Sequence, residues 1–569
     1  MSPPQATEPA QPLPQRIAMT VVAQDPSVRV SPPEGGPEHI LVEQIRIPAE
    51  HLEPGPRGAR FYVVDYDSGS GKLQKPAAVS AGGKDRFAGA DDRKLLGSAE
   101  FRAQNVYAIA ASVLAAAEGA LGRRLSWGFG GHQLYLVPHA FPEENAYYSP
   151  EDGAIFFGYV PGPADEVQTA LSHDIVAHET THAVLDGLRP RFSEPGLPDQ
   201  PAFHEALADC VALLSVFSLP AVVARLLDQG GFEQRVPKEK LTEEALRETA
   251  LFAVAEELGR GGGHSGGLRR SVELPPDPGL LSRREYEEPH TRGEVMVAAV
   301  MQTLLRMWAE RLPAITETTA DRERVVEEGA KAADHLLHML LRGIDYMPPV
   351  ELEFADVLES VLVADAVVAP DDEHGYRDAL EDKFGAFGIK RPQPGIVDLS
   401  KGPSPQYERM NYAVLRSDKD EVERFLWENA EVFGIDREWQ TQVEGIRPSI
   451  RFGPDGLLVS EAIAHYVQRL ELTAAEAGQR GVSVPEGMPP EMPLQLWGGG
   501  VMVFDQFGRA KLHHAKQLTD WDRQSRRLGY LWSHGLTDSK NRLGFTITTP
   551  RGQRFAALHV GSEYAGEEW

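Results

Sequence analysis

Apolar residues change their period several times along the chain, and each change marks an element. Over 100–121, Val106, Ile109, Val113 and Leu114 fall on one face at helical spacing, and Gly122 supplies a stop, so the spacing predicts a helix. Short apolar or alternating runs at 40–42, 60–64, 133–137 and 154–159 read as strands, divided by turn clusters such as Asp67-Ser68-Gly69-Ser70-Gly71. Helical text then takes over. One helix is predicted over 164–188, ended by Pro190, a second over 203–227, and more near 291–311, 320–342 and 351–366. Beyond about 395 the pattern changes again, to a helical stretch at 418–433, strands around 446–472 and a hairpin-like run at 500–508.

This ordering predicts an α+β fold in several parts. Residues 1–35 are rich in Pro, Gln, Ala and Glu and read as a disordered tail. Residues 36–95 form a β-rich segment. A strand-bearing lobe (96–190) precedes a helical lobe (191–395), and 396–569 is an accessory α/β domain with no recognisable chemistry of its own. The helix at 164–188 falls between the two lobes, where clefts tend to form.

Composition narrows the partners. The 569 residues carry a formal net charge of −27, which argues against nucleic acid or an anionic membrane as the main partner. The single cysteine, Cys210, excludes a disulfide-stapled scaffold. The N-terminus has neither a basic start nor an apolar run, so no Sec-type signal is predicted, and no stretch is apolar enough to span a bilayer. The cytoplasm is the expected compartment, with other export routes left open. A protein partner for 396–569 is also left open.

The strongest chemical signal is His178-Glu179-Thr180-Thr181-His182. Positions i and i+4 share a helix face, so the two imidazoles can grip one metal ion, with Glu179 beside them to take a proton from water. A polar helix face would need no more than chance to show the same residues. Here the flanks Ile175, Val176, Ala183, Val184 and Leu185 are apolar, and buried imidazoles and carboxylates need partners. A catalytic zinc wants a third protein ligand and an open position. Leu185 and Leu188 stand where the extended three-histidine motif would continue, which excludes that version. On the next predicted helix, Glu205 and Asp209 lie four apart: Glu205 can complete a His2Glu set, and Asp209 can orient one imidazole through its other nitrogen. His173 lies on another face, and Gly261–Gly267, with His264, lacks the lysine and hydroxyl of a phosphate loop.

With these residues in place the chain resembles the thermolysin-like zinc metallopeptidases, the gluzincin group. Asp174-Ile-Val-Ala-His178-Glu179-Thr-Thr-His182-Ala-Val-Leu-Asp186 is similar to that family's zinc helix, and His204-Glu205-Ala-Leu-Ala-Asp209 to its third-ligand segment, which in relatives usually begins with Asn. Asn145-Ala146-Tyr147-Tyr148 looks like the edge strand that pairs with substrate backbone. Gly267-Leu268-Arg269-Arg270-Ser271 looks like the segment whose arginine binds a substrate carbonyl, with Arg269 the matching position and Arg270 its rival. Glu287-Glu288-Pro289-His290 resembles the segment of the transition-state histidine, with Glu285, or alternatively Glu287, as the acid that orients His290. The resemblance covers about 130–390 and implies a two-lobed metallopeptidase fold, one catalytic Zn²⁺ on His178, His182 and Glu205, Glu179 as general base, and a peptide or protein substrate. It departs in three ways. No tyrosine lies between the second histidine and Glu205, which leaves Tyr286 as a guess for its role. The acids that hold calcium in secreted relatives are depleted, so calcium is not supported, and the long pro-segment is missing. Two other readings stand beside an endopeptidase. A zinc aminopeptidase would carry a Gly-x-Met-Glu-Asn segment, which this chain lacks; a catalytically inactive binding protein would keep the metal and lose turnover.

Overall fold

The computed structural model describes residues 15–543 except 31–35, 79–84, 163–165, 195, 230, 233, 249–270, 272, 313–317, 394, 402–404, 408–410, 454–455, 537–539 and 541. Its class is mixed α and β, as the alternation of periods predicts.

The first strand corrects the expected tail. β1 (Arg16–Val22) pairs antiparallel with β4 (Val42–Pro48), and β2 (Arg29–Val30) pairs with β3 (His39–Ile40). Ile17, Met19, Val21 and Val22 are buried, so a short β-branched run outweighs the polar composition of the window around it. Residues 1–14 and 31–35 of that expected tail lie outside the described residues.

The central sheet also crosses an expected boundary. β5 (Phe61–Val63) runs parallel to β8 (Leu134–Phe141), which runs parallel to β10 (Ala154–Pro161). β9 (Ala146–Ser149) and β11 (Glu166–Gln168) pair antiparallel with successive parts of β10, while β6 (Tyr66–Asp67) and β7 (Lys72–Leu73) form a small hairpin aside. Since β5 comes from 36–95, that segment is part of the sheet rather than an appendage. After α1 (Asp92–Leu96), the long helix α2 (Ala99–Leu121) starts at Ser98, whose hydroxyl accepts from the Phe101 N–H, and ends at left-handed Gly122. A Cβ on Gly122 would lie 2.2 Å from the Ile450 carbonyl oxygen, so this position requires glycine twice over.

The helix that bears the motif, α3 (His173–Leu188), is shorter than predicted. Its expected first residues form β11 and a single 3-10 turn, because β10 takes a partner and the Thr169 hydroxyl donates to the Gly158 carbonyl at 3.0 Å. The predicted helix at 203–227 is two helices, α4 (Asp199–Phe217) and α5 (Pro220–Gln229), since Pro220 has no N–H with which to continue the first. The pair β12 (Arg235–Pro237) and β13 (Thr319–Asp321), with α6 (Pro289–Arg311), α7 (Arg322–Gly343) and α8 (Phe354–Val368), completes the part that positions the site; a further helix, Tyr376–Ala386, was not predicted. One hydrophobic core runs from Ile17 to Ile389 and unites the segments expected to be separate.

Residues 397–516 supply an antiparallel sheet in the order β14 (Val397–Asp398), β18 (Ala510–Lys516), β17 (Pro493–Phe504), β16 (Leu458–Thr473), β15 (Gln440–Phe452). It has two cores of its own, one under the helices Lys419–Glu428 and Ala430–Phe433, the other under Trp521–Ser533. Its strands β15, β16 and β17 grip the rest of the protein. Tyr346 packs with Ile463, Val501 and Val503, and its hydroxyl donates to Glu461 at 2.6 Å. Arg447 donates to the Leu188 carbonyl at 2.6 Å, so the accessory sheet holds the C-terminal end of α3. No single helix among the described residues is long and apolar enough to cross a membrane.

Candidate metal centre

α3 and α4 pack in the main core and bring their polar faces together there. His178, Glu179 and His182 come from α3, Glu205 and Asp209 from α4, and the first four are almost wholly buried. The Nε2 atoms of His178 and His182 face each other at 2.9 Å, and Glu205 Oε2 lies 3.6 Å from each. One ligand atom from each of these three residues falls within 4.8 Å of the others, and this is the one such group of histidine, cysteine or acid side chains among the described residues.

The other ring nitrogens fix which atoms face inward. Asp209 Oδ1 lies 2.9 Å from His178 Nδ1 and so occupies that side of the ring, which leaves His178 Nε2 toward the centre. His182 Nδ1 lies 2.8 Å from His204 Nδ1. Burial lowers His204 to about 4, so it stays neutral, and a neutral ring can accept the His182 proton and turn that Nε2 lone pair inward too. Two inward lone pairs and a carboxylate, buried together, fit a cation: repulsion among three acceptors is relieved by positive charge between them. These residues can therefore hold a metal ion. The charges themselves speak the same way. Burial disfavours a charged His178, yet the carboxylates of Asp209 and Glu205 outweigh it and raise the ring well above 6.5, so the centre favours positive charge, whether a proton on that Nε2 or a cation in the proton's place.

Glu179 sits on the same face. Burial pushes its carboxyl up to about 7, and it accepts from the Tyr148 backbone N–H of β9. The Tyr148 hydroxyl in turn donates to Asp186 at 3.0 Å, near the end of α3. Strand and helix are thus tied at both ends of the motif. Among the described strands β9 pairs only with β10, which leaves its other edge open beside Glu179. Ala146 lies in this strand. Asn145 precedes it and its side-chain oxygen accepts from the Ala146 N–H at 2.8 Å, while its carbonyl accepts from Gly158 at 2.8 Å.

His290 is brought to the same place from α6. Its Nε2 lies 3.6 Å from Glu205 Oε2. The acid that orients it is neither Glu285 nor Glu287. Glu285 is exposed, 3.9 Å from Arg283, and Glu287 lies 3.8 Å from His534. Glu288 does it instead: its carboxylate meets His290 Nδ1 at 2.9 Å and accepts from the N–H groups of His290 and Thr291, capping α6. Burial opposes the charge on His290, but the Glu288 hydrogen bond and the Glu205 charge outweigh it and raise the ring to about 9. Burial opposes the charge on Glu288 as well, and the same contacts still hold that acid at about 2.

His204 and Glu288 are the two groups that sequence reasoning passed over. The first was visible as a histidine where relatives usually carry asparagine; the second was visible as an acid directly before Pro289 at a helix start. Arg269, Arg270 and the 261–267 loop with His264 lie outside the described residues. His173 is buried with Nδ1 3.3 Å from the Val22 carbonyl, and burial lowers it to about 4, in keeping with a structural histidine. Tyr286 is buried in the main core. No protein-family model matches the chain, and no curated protein matches it significantly.

Proposed function

We propose that the protein is a zinc-dependent endopeptidase of the thermolysin-like, gluzincin type, with its β-rich and helical lobes flanking the cleft. The observation that carries this reading is convergence. Ligand atoms of His178, His182 and Glu205 lie within 4.8 Å of one another, His290 Nε2 from a third helix lies 3.6 Å from Glu205 Oε2, and the buried Glu179 carboxyl stands beside His178 on the ligand helix. A non-catalytic metal site needs the ligands but neither Glu179 nor His290. Two nitrogens and one carboxylate oxygen form a ligand set suited to zinc. When bound, zinc supplies Lewis acidity that lowers the pKa of water and polarises a carbonyl.

The chain's own groups do the rest. Glu179 takes the proton of the attacking water and hands it to the leaving nitrogen as the C–N bond breaks; a carboxyl raised to about 7 can do both near neutral pH. His290, whose Nδ1 meets the Glu288 carboxylate, would donate from Nε2 to the oxygen that becomes negative in the tetrahedral transition state. Asp209 and His204 keep the ligand rings in the required orientation. The open edge of β9, Ala146 included, offers main-chain groups to an extended substrate, with Asn145 at its entrance and Arg269 proposed to hold a substrate carbonyl. Replacing Glu179 by Gln tests the assignment: metal should stay and peptide-bond cleavage should be lost.

A further inference from the structure

The proposed reaction needs Glu205 and His290 to face one point, yet they sit on different helices. Two features set the 3.6 Å between their atoms. The first is Gly293, one turn after His290. A Cβ there would meet the Ala202 carbonyl oxygen at 3.1 Å and the Ala206 nitrogen and Cβ at 3.4 Å. Ala206 directly follows Glu205, so α6 rests on α4 at the third ligand itself.

The second is Arg292, which is buried. Its Nε donates to Asp199 Oδ1 at 2.5 Å, and Asp199 is the first residue of α4, with its other oxygen accepting from the Phe354 N–H at 2.8 Å. Its Nη1 donates to the carbonyls of Leu281 at 3.0 Å and Tyr286 at 2.9 Å. Those two residues belong to the strap that leads into Glu288, the acid that holds the His290 ring. One guanidinium therefore joins the start of the ligand helix, the strap and the first turn of the histidine helix. Its fork of donors, fixed in one plane, is what makes three simultaneous contacts specific in direction.

Resting on the endopeptidase reading, we infer that Arg292 is a positioning residue which, with Gly293, sets His290 against the metal ligands, so that its contribution appears in the transition state rather than in substrate binding. Misplacing such a group by about 1 Å costs on the order of a hundredfold in rate.

The test uses the full-length zinc-loaded protein with Arg292→Gln and Gly293→Ala, each checked by circular dichroism and zinc content. Arg292→Gln should lower kcat at least about tenfold with KM within about twofold. A phosphinic peptide, which mimics the tetrahedral state, should bind more weakly by a matching factor, while a product peptide binds as before. Gly293→Ala should give a smaller effect of the same kind, on the order of threefold to tenfold, because the Ala202 carbonyl must give by only a few tenths of an ångström. Because Gly293→Ala leaves the Arg292 contacts in place, it keeps the question open to measurement if Arg292→Gln does not fold. Folded, zinc-bound variants with wild-type kcat and wild-type phosphinic-peptide affinity would overturn the inference. A wild-type protein that binds zinc and cleaves no peptide would instead overturn the reading on which it rests.

Discussion

Each ligand imidazole has one nitrogen for a metal because its other nitrogen is already engaged, His178 by Asp209 and His182 by His204. At this scale the sequence was legible wherever chemistry follows helical spacing. His178 and His182 are four apart, as are Glu205 and Asp209, and in the structure each pair shares a face. Glu285 was misplaced because a residue count inherited from relatives ignores where the helix begins. At the true start, Glu288 caps α6 and reaches forward to the ring two residues on, whereas Glu285 sits on a 3-10 turn facing Arg283. Glu288→Gln should accordingly lower kcat about tenfold with zinc content unchanged, and should cost about 1 kcal/mol as a weakened helix cap. Glu285→Gln should stay within about twofold of wild type. Steady-state kinetics on the two variants decides between the two acids, and a larger loss in Glu285→Gln would reverse the assignment.

At the scale of elements, periodicity located the helices and missed the side chains that start and stop them. α3 begins at His173 rather than near 164 because Ser172 is pinned there. Its hydroxyl lies 2.9 Å from Asp25 Oδ2 and 2.5 Å from Asp174 Oδ1, a contact between segments almost 150 residues apart. Nothing local announces it. The same junction gives a pH dependence. Burial first, and then the charge of Asp25, raises Asp174 from 3.8 to about 6. The folded protein thus holds a proton that the unfolded chain releases, so stability from this group is complete below about pH 4 and falls as the pH rises to about 6. A shift of about two units corresponds to a loss of about 3 kcal/mol. Asp174→Asn cannot ionise and should not show that loss. Urea unfolding of both proteins from pH 4 to pH 7 should therefore show the variant gaining relative to wild type as pH rises, and parallel curves would contradict the account.

Across the whole molecule, the pattern changes near 395, between a core that ends at Ile389 and one that begins at Leu399, but nothing in the pattern announces how tightly the two parts join. Most of the contacts pair residues more than a hundred positions apart. At the join itself, His465 Nε2 of the sheet lies 3.2 Å from the carbonyl of Asp345, whose carboxyl is buried against Arg123 and depressed far below the usual range, despite burial, by the charges of Arg123 and Arg189. Arg451 pairs with Glu461 beside Tyr346. Arg191 pairs with Glu444, and Arg447 holds the last turn of α3. The accessory sheet is in this way part of the frame around the metal centre. Asp345→Ala would leave the largely covered Arg123 without its carboxylate and should cost about 3–5 kcal/mol. Thermal or urea unfolding measures this directly; a change below about 1 kcal/mol would show that this pair beside the join carries little of the stability.

The central claim, that this centre is a metal-dependent peptidase site with Glu179 as its base, is most directly tested by one side-by-side measurement. Wild type and Glu179→Gln are loaded with zinc, their metal content is determined, and the initial rate of internal cleavage of an N-acetylated peptide is recorded for each. The account predicts about one zinc per chain in both proteins, cleavage by wild type, and a rate for Glu179→Gln lower by a factor of about a hundred or more. Equal cleavage by the two proteins, or zinc bound by both with no cleavage by either, would contradict it.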